Sequence, residues 1–282
     1  MKISSLISDW TERLTPRYGN REAGAIVREA LMFYLNTDRV GLAMKGSESV
    51  ETLTLNRIEK GLSRIDAGEP VQYVTGEAWF HGLRLKVTPD VLIPRPETSQ
   101  LVDMIEDDFK GEKDLRVLDL CTGSGAIALA LSRDLPFSSV TGVDISKEAL
   151  SVAVYNGKNL NVSVEFVEGD VLNPETLPAE KWDIIVSNPP YIPENEIGEI
   201  ERNVLEYEPR NALIVKGDDP ILFYRSIARW AVSHLNDHGS LYFEINPHFA
   251  ESLRNMLTDT GFGNVELYKD FDGLTRFIRA RM

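Results

Sequence analysis

The chain has 282 residues, a length that suits two domains of unequal size and allows a large buried core. Its 44 acidic and 30 basic residues give a net charge of −14, which would repel a phosphate backbone unless a basic stripe compensated locally. The sequence contains no such stripe, so we expect no direct binding of nucleic acid.

The cysteine and histidine content argues against disulfides and metal sites. Cys121 is the single cysteine, which excludes an internal disulfide framework and suits a reducing cytosol. His234 and His238 have helical spacing, but His238 abuts Gly239 at a predicted helix end, so we expect no metal site. The chain begins with an amphipathic pattern, and no apolar run reaches the length of a membrane span. We expect a soluble, cytoplasmic protein.

The first part of the chain shows helical periodicity. Three apolar stripes predict a small bundle of three or four short helices, and Gly68-Glu69-Pro70 is predicted to end the bundle. The stripes are Ile3, Leu6, Ile7, Trp10 and Leu14; then Ala25, Ile26, Glu29, Ala30, Phe33 and Tyr34; and then Val50, Leu53, Ile58, Leu62 and Ile65.

The stretch after the bundle changes to short strands. Residues 79–87 predict a β-hairpin that turns at His81-Gly82. We therefore expect a connecting hairpin over residues 75–94, between a helical domain of residues 1–74 and a larger domain of residues 95–282.

From Leu115 onward, apolar strands alternate with helices. This pattern predicts a parallel sheet covered on both faces. The last two strands are joined through Asp272-Gly273 with no room for a crossover helix, so they must pair antiparallel. We expect an α/β fold with a seven-stranded sheet and an antiparallel last strand. The predicted strands are residues 116–120, 140–143, 164–167, 183–186, 240–245, 265–268 and 274–279.

A loop of small residues follows the first of these strands. Cys121-Thr122-Gly123-Ser124-Gly125 leads directly into a predicted helix. Small residues let the backbone approach a ligand, and a helix N-terminus offers unpaired N–H groups and a positive dipole end. For this element alone, a tight turn without a ligand is the alternative.

The next two strand ends add candidate ligand contacts. Asp144 offers two acceptor oxygens, which suit the two hydroxyls of a ribose. No glycine lies three residues after Gly125, so the loop departs from the G-x-G-x-x-G of dinucleotide enzymes and indicates an adenosyl ligand without a pyrophosphate. Asp170 and Val171 follow the third strand, where an adenine would lie, although helix capping accounts for Asp170 comparably well.

The tetrapeptide Asn188-Pro189-Pro190-Tyr191 follows directly on the apolar run of residues 183–187, which contains the fourth predicted strand. Open α/β sheets place their chemistry at the carboxyl ends of strands. The two prolines have no backbone N–H and fix φ, so the carbonyls of this turn are stiffly aimed and free to accept hydrogen bonds. Such a site suits an –NH2 group. The alternative is a strand-terminating turn with a half-buried tyrosine.

In this order the glycine loop, Asp144 and Asn188-Pro189-Pro190-Tyr191 resemble the class I S-adenosylmethionine-dependent N-methyltransferases. More narrowly, residues 72–77, 91–98 and 272–276 (Gln-Tyr-Val-Thr-Gly-Glu, Val-Leu-Ile-Pro-Arg-Pro-Glu-Thr and Asp-Gly-Leu-Thr-Arg) are similar to the peptide chain release factor glutamine methyltransferase family. The resemblance spans nearly the whole chain. It implies a Rossmann-like methyltransferase sheet, with the helical domain recognising the substrate.

The same resemblance implies an activity. In that family the side-chain amide nitrogen of the glutamine in the Gly-Gly-Gln loop of class I peptide release factors is methylated, which supports translation termination. Asn188, Pro189, Pro190 and Tyr191 would hold this glutamine, and Asn188, Pro189 and Tyr191 would be catalytic. We expect a monomer.

The resemblance also implies S-adenosylmethionine as the cofactor. This sequence departs from the family pattern at two positions, because Cys121 replaces the usual first glycine of the loop and Val171 stands where an aromatic residue is often found. The loop would line the methionine part, Asp144 would hold the ribose, and Val171 would contact the adenine. The expected cofactor-binding residues are Cys121, Thr122, Gly123, Ser124, Gly125, Asp144, Val171 and Asn188.

Two other functions fit parts of the pattern. Asn-Pro-Pro-Tyr presents the same acceptors to the exocyclic amine of adenine or guanine, although the acidic charge disfavours a nucleobase substrate. The second alternative function is a cofactor-binding module that catalyses no reaction.

Two charged segments also leave alternatives open. Arg95 and Glu97 suit either a structural ion pair or closure of the cofactor pocket. The acidic residues 194–201 suit either a lid for a basic partner or a solvated loop.

Overall fold

The computed structural model describes residues 1–282, except for the side chain at 199. It divides into two compact units, Met1–Glu77 and Ala78–Met282. Within the part of the chain that is described, no helix combines the length and the apolar character that crossing a membrane requires.

The first unit is built from helices around one apolar cluster. On the first helix, Ile3, Leu6, Trp10 and Leu14 are buried, as the sequence predicts. The helices are α1 (Ile3–Tyr18), α2 (Asn20–Tyr34), α3 (Arg39–Met44), α4 (Thr52–Asp66) and α5 (Val71–Thr75).

Three details of this bundle were predicted wrongly. Helix α2 buries Ala23, Val27, Ala30 and Leu31, so of the predicted stripe only Ala30 is fully buried, and Ala25 is exposed. The error arises because small and apolar residues occur on more than one side of α2. On α4, Leu53 is 72% exposed. The bundle also continues past Gly68-Glu69-Pro70, because Pro70 caps α5 and proline is well tolerated at a helix start.

The predicted hairpin is confirmed as strands β1 (Glu77–Phe80) and β2 (Leu83–Lys86). His81 and Gly82 both have positive φ, at 46° and 73°. Two such residues make the two-residue turn whose twist matches that of the paired strands.

The second unit contains a seven-stranded sheet in the order β10-β11-β9-β6-β3-β4-β5. All neighbours pair parallel except β11, which is antiparallel to both β9 and β10. The predicted fold class is confirmed. The strands are β3 (Arg116–Leu120), β4 (Ser139–Asp144), β5 (Glu165–Glu168), β6 (Trp182–Ser187), β9 (Leu235–Glu244), β10 (Asn264–Lys269) and β11 (Thr275–Arg281).

A small parallel sheet stands apart from the large one. Its strands, β7 (Ile192–Pro193) and β8 (Ile214–Val215), pair residue for residue. The segment between them, residues 194–213, therefore starts and ends at neighbouring positions. The helices of the second unit are α6 (Pro96–Asp108), α7 (Ala126–Asp134), α8 (Lys147–Leu160), α9 (Arg202–Tyr207), α10 (Arg210–Leu213), α11 (Leu222–His234) and α12 (Ala250–Thr260), with 3₁₀ turns at Pro174–Thr176, Glu194–Glu199 and Pro247–Phe249.

The central strands β3 and β6 are buried on both faces. Leu118 and Ile185 belong to one apolar cluster, while Val117 and Ile184 belong to the other. Successive side chains of a strand point to opposite faces, so the two clusters cover the two faces of the sheet. The chain leaves β3 toward β4 on one side and later returns to β6 on the other, which opens a crevice at the carboxyl ends of these strands.

Truncation of Leu118, which is fully buried, tests this two-sided core. We expect Leu118→Ala to lower the free energy of unfolding by about 2–5 kcal/mol, because it removes buried methyl groups and leaves a cavity. Equilibrium urea unfolding measures the change. Val154→Ala on exposed α8 surface is the control and should stay within about 0.5 kcal/mol. A loss below about 1 kcal/mol for Leu118→Ala would contradict this packing.

Candidate functional site

A cavity of about 320 Å³ opens at the carboxyl edge of the large sheet. This volume lies in the range of small-molecule sites. The residues that line it come from the loops after β3, β4, β5 and β6 and from the segments around residues 90 and 211–223. Among them are Asp90, Val91, Leu92, Cys121, Gly123, Asp144, Ile145, Val171, Leu172, Asn188, Pro190, Asn211, Lys216 and Phe223.

The glycine loop turns through left-handed backbone at Cys121, Gly123 and Gly125, with φ values of 62°, 54° and 81°. Gly125 caps the N-terminus of α7. A β-carbon on Gly123 would meet no atom within 4 Å, so the loop is open there. The conformation at Cys121 favours glycine, which gives a physical reason for the family's usual glycine at that position.

A buried carboxyl group behind the loop holds it in shape. Asp119 is fully buried, and its Oδ2 accepts hydrogen bonds from Thr122 Oγ1 at 2.6 Å and from Ala128 N at 3.1 Å. Its Oδ1 has no hydrogen-bond partner among the described residues. Burial raises the pKa of Asp119 to about 7. No role was predicted for Asp119, although an acidic residue inside an apolar strand was a usable signal.

Asp144 joins the ends of two neighbouring strands. Its Oδ2 accepts the Gly123 N–H at 2.8 Å, and its Oδ1 accepts the Ser146 N–H at 2.9 Å. Burial raises the pKa of this carboxyl, against the lowering effect of the backbone N–H groups. Each oxygen keeps a lone pair for a ligand, and the carboxylate lines the cavity. Its role toward a ribose remains a prediction.

The loop after β5 supplies an apolar wall. Val171 is buried and lines the cavity together with Asp170 and Leu172. The Leu172 N–H donates to Asp170 Oδ1 at 2.8 Å. That bond closes a local turn and caps no helix, because the next 3₁₀ helix begins at Pro174 with Asn173 as its N-cap. The capping alternative for Asp170 is therefore wrong, and Val171 remains the candidate adenine contact.

Asn188 and Pro190 line the cavity, whereas Pro189 and Tyr191 are not among its lining residues. Pro189 is buried. Tyr191 is half-buried and packs against the apolar cluster on one face of the sheet. Burial raises the pKa of its phenol, with the carboxyl of Glu244 as the next cause, so Tyr191 stays protonated at neutral pH.

Three predicted cofactor residues shape the loop rather than line the cavity. Thr122 bonds to Asp119, and the Ser124 carbonyl accepts a hydrogen bond from Asn156 Nδ2 at 3.0 Å. Gly125 is the N-cap of α7, which begins at Ala126.

The ion pair of Arg95 has a different acidic partner from the predicted Glu97. Arg95 Nη2 donates to Glu208 Oε1 at 2.6 Å, and the backbone N–H of Ile93 donates to Glu208 Oε2 at 3.1 Å. Arg95 thus pairs with Glu208 rather than with Glu97. In the acidic stretch, Glu196 accepts a hydrogen bond from Asn246 at 3.2 Å, and the side chain of Glu199 lies outside those described.

Two family profiles match the chain. "PrmC N-terminal domain" matches residues 5–76, and "Methyltransferase small domain" matches residues 97–218. A release factor glutamine methyltransferase of Flavobacterium psychrophilum is 37% identical over 99% of both chains. The chain belongs to the release factor glutamine methyltransferase family. The members from Bacteroides thetaiotaomicron and Bacillus subtilis are 40% and 35% identical, over 89% and 96% of this chain and 87% and 95% of theirs.

Solved structures agree on the fold. A methyltransferase from Pyrococcus furiosus has a TM-score of 0.53 at 17% identity, covering 82% of this chain and 98% of its own. The Thermus thermophilus 16S rRNA N2 G1207 methyltransferase, solved with AdoMet and guanosine, also has a TM-score of 0.53, at 20% identity over 73% of this chain and 49% of its own. The predicted family and enzyme class are confirmed, and the individual site residues remain predictions.

The buried carboxyl of Asp119 predicts a pH dependence of stability. Its pKa is raised in the folded protein, so the folded state binds the proton more tightly than the unfolded state does. The free energy of unfolding should therefore fall as pH rises from about 5 through 7. In Asp119→Asn this fall should shrink, as measured by urea unfolding across the range. The exposed Glu112→Gln is the control, and equal slopes in both variants would contradict the assignment.

Proposed function

We propose that the protein transfers a methyl group from S-adenosylmethionine to the side-chain amide nitrogen of the glutamine in the Gly-Gly-Gln motif of class I peptide chain release factors, acting as a cytoplasmic monomer. One observation carries the proposal. A single cavity is lined by both Asp144, which suits a ribose, and Asn188, which suits an –NH2 group. Family membership supports the choice of substrate.

The residues of the cavity fit the cofactor. Asp144 offers acceptors for ribose hydroxyls, and Ile145, Val171 and Leu172 offer apolar surface for an adenine. The open side of Gly123 leaves room for the methionine part. When bound, S-adenosylmethionine supplies an electrophilic methyl group on a sulfonium.

The protein's part in the reaction is to orient a weak nucleophile. A carboxamide nitrogen is weak because its lone pair is delocalised into its own carbonyl. Asn188, which lines the cavity, accepts one N–H bond of the substrate amide through Oδ1, and the carbonyl of the neighbouring Pro189, which is not a lining residue, accepts the other. The two bonds turn the lone pair toward the methyl group. Tyr191 is neutral at physiological pH but does not line the cavity, so its predicted packing on the flat amide requires the substrate to reach beyond the lining residues. No residue has to remove a proton before methyl transfer, because the proton leaves afterwards.

Methyl transfer to a purified release factor tests the function. With radiolabelled cofactor, we expect label on the intact factor and none on its Gly-Gly-Gln→Gly-Gly-Ala variant. Label on RNA or DNA instead would favour the nucleobase alternative. Cofactor binding without any transfer would favour the module without turnover.

The role of Asn188 predicts a large kinetic effect. Asn188→Ala should lower kcat by about 10²-fold or more, the scale for losing one preorganised polar contact, in single-turnover assays. Cofactor affinity should change by less than about threefold, because the lost contact is made to the substrate amide. Asn264→Ala on the surface is the control. An unchanged kcat would remove Asn188 from the chemistry.

Asp144 predicts the opposite pattern. Asp144→Ala should weaken cofactor binding by about 10- to 100-fold, the scale for hydrogen bonds to a charged group. The contact is made in ground and transition states alike, so kcat at saturating cofactor should fall much less. Isothermal calorimetry measures the affinity. Unaltered binding would show that Asp144 does not contact the cofactor.

A further inference from the structure

A second acidic residue lies at the carboxyl edge of the sheet. Glu244 is the last residue of β9 and is 1% exposed. Thr98, in the first turn of α6, is 5% exposed, and its hydroxyl donates to Glu244 Oε2 at 2.6 Å. The two residues are 146 positions apart in the chain, so this contact exists only in the folded protein.

The same hydroxyl connects to the proposed substrate site. Asn188 Nδ2 donates to Thr98 Oγ1 across a long hydrogen bond of 3.5 Å. Asn188, Thr98 and Glu244 thus form a chain of hydrogen bonds, here called the relay, that runs from the cavity into the protein interior.

The number of hydrogen atoms available for donation fixes the direction of the hydrogen bonds in the relay. An ionised carboxylate only accepts, and a threonine hydroxyl has a single hydrogen to donate. Because Thr98 gives that hydrogen to Glu244, it can only accept from Asn188. The amide of Asn188 must therefore turn its Nδ2 toward Thr98, which leaves Oδ1 facing away from the relay.

We propose that Thr98 and Glu244 are positioning residues that hold the Asn188 amide with its oxygen toward the substrate –NH2 group. This inference rests on the proposed function. With the amide reversed, Nδ2 would meet the substrate amide donor to donor, and the hydrogen bond that orients the nitrogen would be lost.

The relay gives the reaction a pH dependence. Burial raises the pKa of Glu244 to about 7, against the lowering effects of its contact with Thr98 and of the nearby Arg276 and Arg95. Glu97 raises the pKa further, and the neutral phenols of Tyr191 and Tyr224 also face this carboxyl.

Protonation would reverse the relay. A protonated Glu244 can donate to Thr98, whose hydroxyl is then free to donate to Asn188 Oδ1. The rate should therefore rise as pH increases through about 7, since the ionised carboxylate is the form that sets the productive orientation.

Three variants of the full-length protein test the relay in methyl-transfer assays on a release factor from pH 5.5 to 9. Thr98→Val should lower kcat by about tenfold, with KM and cofactor affinity within about threefold, because only orientation is lost. Thr98→Ser keeps the hydroxyl and should restore kcat to within about twofold. Thr258→Val, on the exposed face of α12, is the matched control. In Glu244→Gln the rise in rate near pH 7 should disappear.

Two kinetic outcomes would overturn the relay. The first is a kcat for Thr98→Val equal to that of the wild type. The second is a rise near pH 7 that persists at the same midpoint in Glu244→Gln. A purely structural role for Thr98 and Glu244 would lower stability without moving this midpoint.

Nuclear magnetic resonance of protein carrying ¹⁵N-labelled asparagine tests the relay without turnover. The side-chain signals of Asn188, assigned by their loss in Asn188→Ala, should shift with pH in the wild type and not in Glu244→Gln. Signals that titrate equally in both would overturn the relay. A wild type that shows this shift but labels no release factor would instead overturn the proposed function.

Discussion

The site depends on the parallel pairing of the two central strands, β3 and β6. Leu120 at the end of β3 pairs with Ser187 at the end of β6, and the Ser187 hydroxyl also donates to the Leu120 carbonyl at 2.6 Å. Cys121 is the next residue after β3, and Asn188 is the next residue after β6. The glycine loop and the Asn-Pro-Pro-Tyr turn therefore begin side by side, and one cavity reaches both. A slip of one residue in this register would turn every side chain of the strand to the opposite face.

Much of this arrangement could be predicted from local patterns. The bounds predicted for β3 agree with the structure, and the alternation of strands and helices gave the parallel sheet with its antiparallel β11. Asp144 and Asn188 were recognisable because each directly follows an apolar strand. The phase of α2 was not predictable in the same way, since Ala23 and Ala25 are chemically identical and only packing decides which one is buried.

The residues that support the site were missed because their partners are distant in sequence. Glu208 pairs with Arg95, which lies 113 positions away in the chain, and no local sequence pattern predicts such a pair. Glu244 carried a weak signal, because it is an acidic residue near the end of the predicted strand 240–245. Its proposed role depends on Thr98, whose hydroxyl connects the buried carboxyl of Glu244 to the side-chain amide of Asn188. A sequence motif can indicate which group contacts a substrate, whereas the contacts that orient this group are visible only in the three-dimensional structure.

The short pairing of β7 with β8 has a consequence for how this enzyme can diversify. Because Ile192 and Pro193 pair with Ile214 and Val215, the segment between these strands starts and ends at neighbouring positions in the domain. Changes of length or sequence there need not strain β6 or the turn that follows it. Such changes are confined to the residues between Glu196 and Glu208, because Glu196 bonds to Asn246, Glu208 pairs with Arg95, and Asn211 lines the cavity.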